Sequence, residues 1–403
     1  MLTVRQALEQ LLSGAMASSR HEHVDTWDAV GRVTTAAITS PLDVPPVRNS
    51  QMDGYAVRSA DLAGASATAP VRLAVSQRIP AGSIALPLEP GTAARLFTGA
   101  TLPEGADAVV MQERVTAVDG AALFGQAPRV GEWIREAGED IAVGARIIDA
   151  GVRLTPQALG LIASVVVGSL GVAARPRVAI FFTGDELRMP GEPLPIGAIY
   201  NSNSFILRGL LSRLGCEVGD FGLVVDDRQA TIDALRRASA EHDLVVTCGG
   251  VSVGEEDHVK AAAEAIGSID LWQIGVKPGK PLAFGHLGTR RVPLIGLPGN
   301  PVSAFVTFLI FVRPFVLKLQ GATALEPMRL KLQAGFDWTR PDKRQEYLRA
   351  RVGADGRLEL FATQASHVLT STVWADGLIE NPPGQEIHAG DWVDFIPMSE
   401  LLT

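Results

Sequence analysis

Between about residues 176 and 320 the chain alternates short apolar runs with stretches of helical period, and this pattern restricts its fold more than anything else in it. "RVAIFF", "VGDFGLVVDD", "DLVVTCGG" and "VPLIGLPG" read as strands. "NSFILRGLLSRLG", "RQATIDALRRASAEH" and "EDHVKAAAEAIG" read as the helices between them, and a long apolar helix follows "GLPGNPVS". The alternation predicts a mainly parallel sheet with helices on both faces. In that architecture ligands collect beyond the carboxyl ends of the strands.

With 403 residues the chain is too long for that unit alone, so its flanks must fold separately. Residues 41–50, "PLDVPPVRNS", form an extended connector into "QMDGYAVRSAD". Short runs such as "VRLAVSQRI" and "DAVVMQERV" predict a small all-β domain over about 55–150, and the turn-rich segment 327–403 predicts a second. At the N-terminus, Val4, Ala7, Leu8, Leu11 and Leu12 share one helical face; Thr3 and Gln6 make a capping box and Gly14 a stop. No signal-peptide apolar core is present there. The apolar stretch 158–174 is broken by three glycines and closed by Pro176, which predicts a helix ending near Val165 and then a strand, with no membrane span.

Composition narrows the partners. Lys and Arg total 36 against 44 Asp and Glu, a formal charge of -8, and no long basic run is available to follow a nucleic-acid backbone. Cys216 and Cys248 have neither disulfide nor metal spacing, so a reducing cytoplasm is expected. Cys248, beside two glycines, reads either as a nucleophile or as a small buried strand residue, and the second fits better. His21 and His23 read as an exposed loop, and no G-x-S-x-G elbow occurs.

The loops after the strands share one chemistry. "TGDEL" (183–187), "VVDDR" with Asp226 and Asp227, "GGVSVGEED" (249–257) and "GLPGNPVS" (296–303) each combine glycine or a carboxylate with a helix start. Gly249, Gly250 and Gly299 let backbone amides approach a ligand, and the helix after Asn300 offers free N–H groups to an anion, expected to be phosphate. Pro298 and Pro301 fix the loop in advance; Ser252 and Ser303 complete the expected binding set. "KPGKP" at 277–281 is either a solvated turn or a grip in which Lys277 and Lys280, with Pro281, hold an oxyanion. Asp226, Asp227, Glu255, Glu256 and Asp257 would repel a phosphate unless a cation such as Mg²⁺ intervened, although Glu255 and Glu256 read better as helix caps or solvated acids.

Taken together, "NSQMDGYAVR", "TGATLPEGADAVVMQE", "REAGEDI", "TGDEL", "GAIYNSNS", "GGVSVGEED", "KPGKPLAFG" and "GLPGNPVS" resemble, in order, the motifs of the molybdopterin molybdenumtransferase family, which includes bacterial MoeA and the E domain of gephyrin. The resemblance implies a multidomain α/β-plus-β fold in an elongated, L-shaped subunit. Its parts would be a discontinuous helical interdomain region (1–45 and 141–175), an inserted β domain (46–140), a MogA-like α/β domain similar to the pathway's adenylyltransferases (176–324) and a C-terminal β-barrel (325–403). It also implies a homodimer. The implied reaction binds adenylylated molybdopterin and molybdate and releases AMP with Mg²⁺.

Carried over position by position, the resemblance implies functional roles for Asp53, Thr98, Arg135, Asp140 and Glu186, and for Asp226, Asp257 and Lys277 in the α/β domain. Asp226 and Asp257 would organise Mg²⁺. Lys277, Lys280, Arg349 in "EYLRAR" and Ser366 in "QASH" would form the molybdate pocket, and Asp53 and Asp140 would reach it from another domain or the partner subunit. Gln273 stands where some family members carry lysine, and "ASHVLTSTVWADGLIE" matches the serine-rich C-terminal motif only loosely. The pathway adenylyltransferase and molybdoenzyme clients are the implied protein partners. The alternatives are an adenylyltransferase-like enzyme, against which the two β domains and "MDGYA" stand, and a gephyrin-like scaffold, against which the carboxylate set stands.

Overall fold

The computed structural model describes residues 1–250 and 258–402. Two compact units are present: residues 1–36, 150–155 and from Leu170 onward form the first, and residues 37–149 with 156–169 the second. The boundaries expected near 45 and 140 both fall inside the second unit.

The first unit contains the α/β sheet. Its strands lie in the order Glu217–Val224, Arg177–Thr183, Leu244–Cys248, Val292–Leu297, Pro281–Leu287, Gly267–Gln273. The first four are parallel, and the last two pair antiparallel with their neighbours. Alternation along one strand shows why the sequence reads as an unbroken apolar run: Val178, Ile180 and Phe182 enter one core, while Ala179 and Phe181 enter the other. Helices Ser202–Arg213 and Pro301–Leu319 cover the first face, and Arg228–Glu241 and His258–Ile266 cover the second. Each large aliphatic or aromatic side chain buried this way contributes about 1.5–3 kcal/mol, so both faces must be covered for the sheet to persist. Two of the helices that follow strands start on side-chain caps, with Asn201 accepting from the Ser204 N–H at 3.2 Å and Asp227 from the Ala230 N–H at 2.9 Å.

The long helix has a single irregularity. Pro301–Thr307 and Arg313–Leu319 are α-helical, and the turn between them, Phe308–Val312, is a wider π-turn. Pro314 follows that turn and lacks the N–H that a regular helix would donate backwards. Although this helix is long and apolar enough to cross a membrane, 94% of its apolar window is buried inside the protein. The N-terminal helix Val4–Ser13 carries the expected capping box and buries Val4, Ala7 and Leu11 in the same core. The stretch 158–174 is, as its glycines predict, the helix Pro156–Ser164 and then the strand Ser169–Ala173.

A second sheet in the first unit is ordered Val276–Lys277, Gln345–Val352, Gly377–Asn381, Trp392–Pro397, Leu330–Gln333, and Leu358–Leu360 also pairs with Gln345–Val352. The short strand Val276–Lys277 joins the two sheets. It comes between two strands of the α/β sheet in sequence yet pairs parallel with Gln345–Val352, setting Lys277 opposite Glu346. The second unit holds a six-stranded sheet with apolar clusters on both faces: Tyr55 and Val57 enter one and Ala56 the other.

Candidate active site

At the carboxyl ends of Leu244–Cys248 and Val292–Leu297 lies a cavity of about 520 Å³. One wall is backbone. Gly249 and Gly250 have φ of +92° and +64°, and a Cβ on Gly249 would stand 2.7 Å from the Thr183 carbonyl oxygen. Glycine is required at both positions. Beside them, after the neighbouring strand, Pro298, Gly299, Asn300 and Ser303 line the cavity, and a Cβ on Gly299 would meet nothing within 4 Å.

The helix that starts at Pro301 offers fewer amides than its sequence promised. Pro301 has no N–H, and the Val302 N–H is taken by the Ser366 carbonyl at 3.0 Å. Ser303 keeps its backbone N–H and hydroxyl without a protein partner among the described residues.

Asn203, which the sequence did not single out, ties this wall together. Its Nδ2 donates to the Gly299 carbonyl at 2.8 Å and to Cys248 Sγ at 3.1 Å, while the Cys248 thiol donates to the Pro298 carbonyl at 3.0 Å. Burial pushes the Cys248 thiol up to about 12, which makes it a packing group and not a nucleophile.

The other wall is charged and comes from the C-terminal sheet. Lys277 Nζ pairs with Glu346 Oε1 at 3.1 Å and Asp342 Oδ2 at 3.5 Å. Glu346 is fully buried and also accepts from Trp338 Nε1 at 2.8 Å and Asn381 Nδ2 at 3.3 Å. Arg344, which lines the cavity and was not foreseen, donates Nη2 to Asp342 Oδ2 at 2.8 Å. Its hydrogen bonds hold the Asp342 carboxyl far below the usual carboxylate range. Lys280 and Pro281 line the cavity; Lys280 is exposed and makes no ion pair among the described residues.

Ser366 lines the cavity with Gln364 and Ala365, but Arg349 lies behind them. Its guanidinium is buried, donates to the Ala365 carbonyl at 3.3 Å and to Ser371 Oγ at 3.2 Å, and is brought down to about 10 by burial. It stays charged at neutral pH and holds the loop that forms the wall. Gln273 does not line the cavity; its carbonyl accepts from the Leu2 N–H at 2.9 Å.

The remaining expected residues lie elsewhere. Asp226 follows the strand Glu217–Val224 and is half-buried, next to the helix-capping Asp227. Glu186 is exposed in the turn before Leu187–Arg188. Neither lines the cavity. Ser252, Glu255, Glu256 and Asp257 lie outside the described residues.

In the second unit the pairing of Gly54 with Leu96 sets Asp53 beside Thr98. The Thr98 N–H and hydroxyl donate to Asp53 Oδ1 at 2.7 and 2.8 Å and lower its carboxyl below the usual value. Arg135 is exposed on a strand paired with Asn49–Ser50, and Asp140 is exposed with its N–H on the Val44 carbonyl at 2.9 Å.

A glycine-rich backbone wall facing a cationic wall, at the switch between two sheets, defines a site for anionic ligands. Comparison with known proteins gives its family. Residues 2–166 match the MoeA N-terminal region (domain I and II), 179–318 the probable molybdopterin binding domain and 331–398 the MoeA C-terminal region (domain IV). The chain is 38% identical to the molybdopterin molybdenumtransferase of Haemophilus influenzae, with all of both chains covered. It is 36% identical to molybdopterin molybdenumtransferase 2 of Mycobacterium tuberculosis, covering 96% of this chain and 97% of the relative. The crystal structure of a molybdopterin biosynthesis MoeA protein from Pyrococcus horikoshii OT3 superposes with a TM-score of 0.86 at 28% identity, covering 98% of this chain and all of that one. The chain belongs to the molybdopterin molybdenumtransferase family, enzymes of molybdenum cofactor synthesis.

Proposed function

We propose that this chain binds adenylylated molybdopterin and molybdate at the cavity and leaves molybdenum on the pterin dithiolene as AMP departs. The observation that carries the reading is the cavity's division of labour. The backbone wall of Gly249, Gly250, Gly299 and Asn300, with the Ser303 N–H and hydroxyl that have no partner among the described residues, suits the phosphate of the adenylylated substrate. The wall of Lys277, Lys280, Pro281 and Ser366 suits a tetrahedral dianion. Pro298 and Pro301 hold the first wall in place before the substrate arrives.

Arg349 acts through the Ala365 carbonyl, keeping Ser366 at the wall. Asp226 and Asp257 are assigned to Mg²⁺. Such an ion is typically held by one or two carboxylates with substrate phosphates and water. When bound, Mg²⁺ neutralises charge on the phosphoanhydride. Glu186 is assigned a catalytic role from the exposed turn before Leu187–Arg188, outside the cavity lining.

Asp53, with its carboxylate fixed by Thr98, together with Arg135 and Asp140, acts at the cavity of the partner subunit in an elongated homodimer. The layout proposed for each subunit is an interdomain region (1–45 and 141–175), an inserted β domain (46–140), the α/β domain (176–324) and a C-terminal barrel (325–403). The cytoplasm is its place, between the pathway's adenylyltransferase and the client molybdoenzymes.

The test is AMP release from purified adenylylated molybdopterin, with and without molybdate and Mg²⁺, in the native chain and Asp257→Ala. Release that needs both ions and disappears in the variant is the expected result. Binding of the intermediate without AMP release would leave a pterin-binding scaffold.

A further inference from the structure

The two carboxylates beside Lys277 differ in a way that salt-bridge geometry alone does not require. Glu346 is fully buried, with its oxygens satisfied by Lys277, Trp338 and Asn381. It is a fixed counter-ion, and burying it without Lys277 would be costly. Asp342 is neither needed to satisfy Lys277 nor enclosed: its side chain is 21% exposed, and its contact with Lys277 is the longer of the two. Yet it neutralises both Lys277 and Arg344 from outside the cavity that these two cations line.

The local sum shows the effect. Three cavity-lining cations (Lys277, Lys280, Arg344) and the two carboxylates paired with them (Glu346, Asp342) sum to one net positive charge, apart from Arg349 behind the wall. Without the carboxylate at 342 it would be two. A transferase must release its oxyanion to an acceptor, and a cavity with its full positive charge would hold a dianion too tightly to pass on.

We infer that Asp342 is a built-in attenuator of the oxyanion cavity, a specificity-determining residue that weakens the hold of Lys277 and Arg344 on the bound anion. This rests on the cavity being the molybdate site. Because the effect is Coulombic it scales with ligand charge, so a doubly charged anion feels twice the free-energy change of a singly charged one of the same shape. Hydrogen bonding or cavity shape would not obey that rule.

The test is equilibrium binding of molybdate, and of perrhenate as its singly charged tetrahedral counterpart, to the full chain and to Asp342→Asn. Asparagine keeps the acceptor that Oδ1 offers to the Arg344 N–H at 3.1 Å. Asp342→Ser is a second neutral variant should the first fail to fold, and Asp342→Glu is the charge-retaining control. The neutral variants are expected to tighten molybdate about tenfold and perrhenate about threefold, the square-root relation that charge imposes; the glutamate variant should behave as wild type.

Unchanged or weaker molybdate binding in both neutral variants overturns the inference and makes Asp342 a positioning residue for Arg344. Equal factors for the two anions also overturn it. Lys280→Ala separates the underlying reading: if it leaves wild-type molybdate binding intact, the cavity is not the oxyanion site.

Discussion

The two walls of the cavity are built by opposite means. The glycine wall is short-range: Gly249 and Gly250 follow one strand, Pro298 to Ser303 follow its neighbour, and backbone conformation does most of the shaping. The charged wall is long-range. Lys277 belongs to a two-residue strand, and its partners lie some seventy residues further on, in a different sheet. The first wall is shaped locally, because proline fixes φ and glycine admits backbone angles that other residues refuse. The second is fixed by an ion pair whose carboxylate is fully buried, so it tolerates less chemical change and more sequence separation.

Substitutions separate the two modes of construction, and the largest effect belongs to the charged wall. Glu346→Ala takes the acceptor from Trp338 Nε1 and leaves Lys277 only its longer contact with Asp342, and should lower unfolding free energy by about 3 kcal/mol. Urea denaturation would measure this, and a loss below about 1 kcal/mol would show that Lys277 simply turns to solvent.

Next comes Gly250→Val. The left-handed φ and a Cβ 2.6 Å from Val259 Cγ2 should cost about 2 kcal/mol or more. Gly299→Ala, on the same wall but with open space and an ordinary φ, should stay within about 0.5 kcal/mol while weakening substrate binding. If the two glycines respond alike in thermal melting, the distinction between a conformational and a ligand-clearing glycine fails.

A smaller effect is acid dependence. Asp342 has a folded-state value below its unfolded one, chiefly through Arg344. Its stabilisation is therefore fully present above the ordinary carboxylate range, near about 4, and is lost as pH falls below it. Asp342→Asn should remove that part of the acid loss, so the stability gap between wild type and variant should stay constant from pH 7 to about 4 and narrow only as pH falls below about 4. Parallel curves would contradict the assignment.

Least of all, Cys248 should change nothing. With its thiol raised to about 12 by burial, it should resist iodoacetamide at pH 8 in the folded chain and react only on unfolding, as mass spectrometry would show.

The contrast also explains what could be read from sequence. Strand and helix alternation, the Thr3–Gln6 capping box and the glycine loops are signals within a few residues of one another, and they match the fold. Arg344, Asp342 and Glu346 carry no local signal; only the pairing of Lys277 with Glu346 across two sheets brings them to the cavity. The loss of free amides at the helix start has the same cause, since the Ser366 carbonyl that takes the Val302 N–H is more than sixty residues away. Asn203 sat unremarked in "GAIYNSNS" because an asparagine at a helix start reads as a cap, a role Asn201 fills. Arg349 was legible as a residue of the site, though not as one acting from behind the wall.

The most direct test of the cavity as the oxyanion site uses Lys280, whose exposed side chain has no structural ion pair among the described residues to lose. The measurement is the molybdate dependence of AMP release in wild type and Lys280→Ala, with melting temperature as the control for folding. A rise of about tenfold or more in the molybdate concentration for half-maximal rate, at unchanged melting temperature, is the predicted result. An unchanged molybdate dependence would contradict the account, because a cavity lysine with no ion pair among the described residues would then have no part in holding the anion.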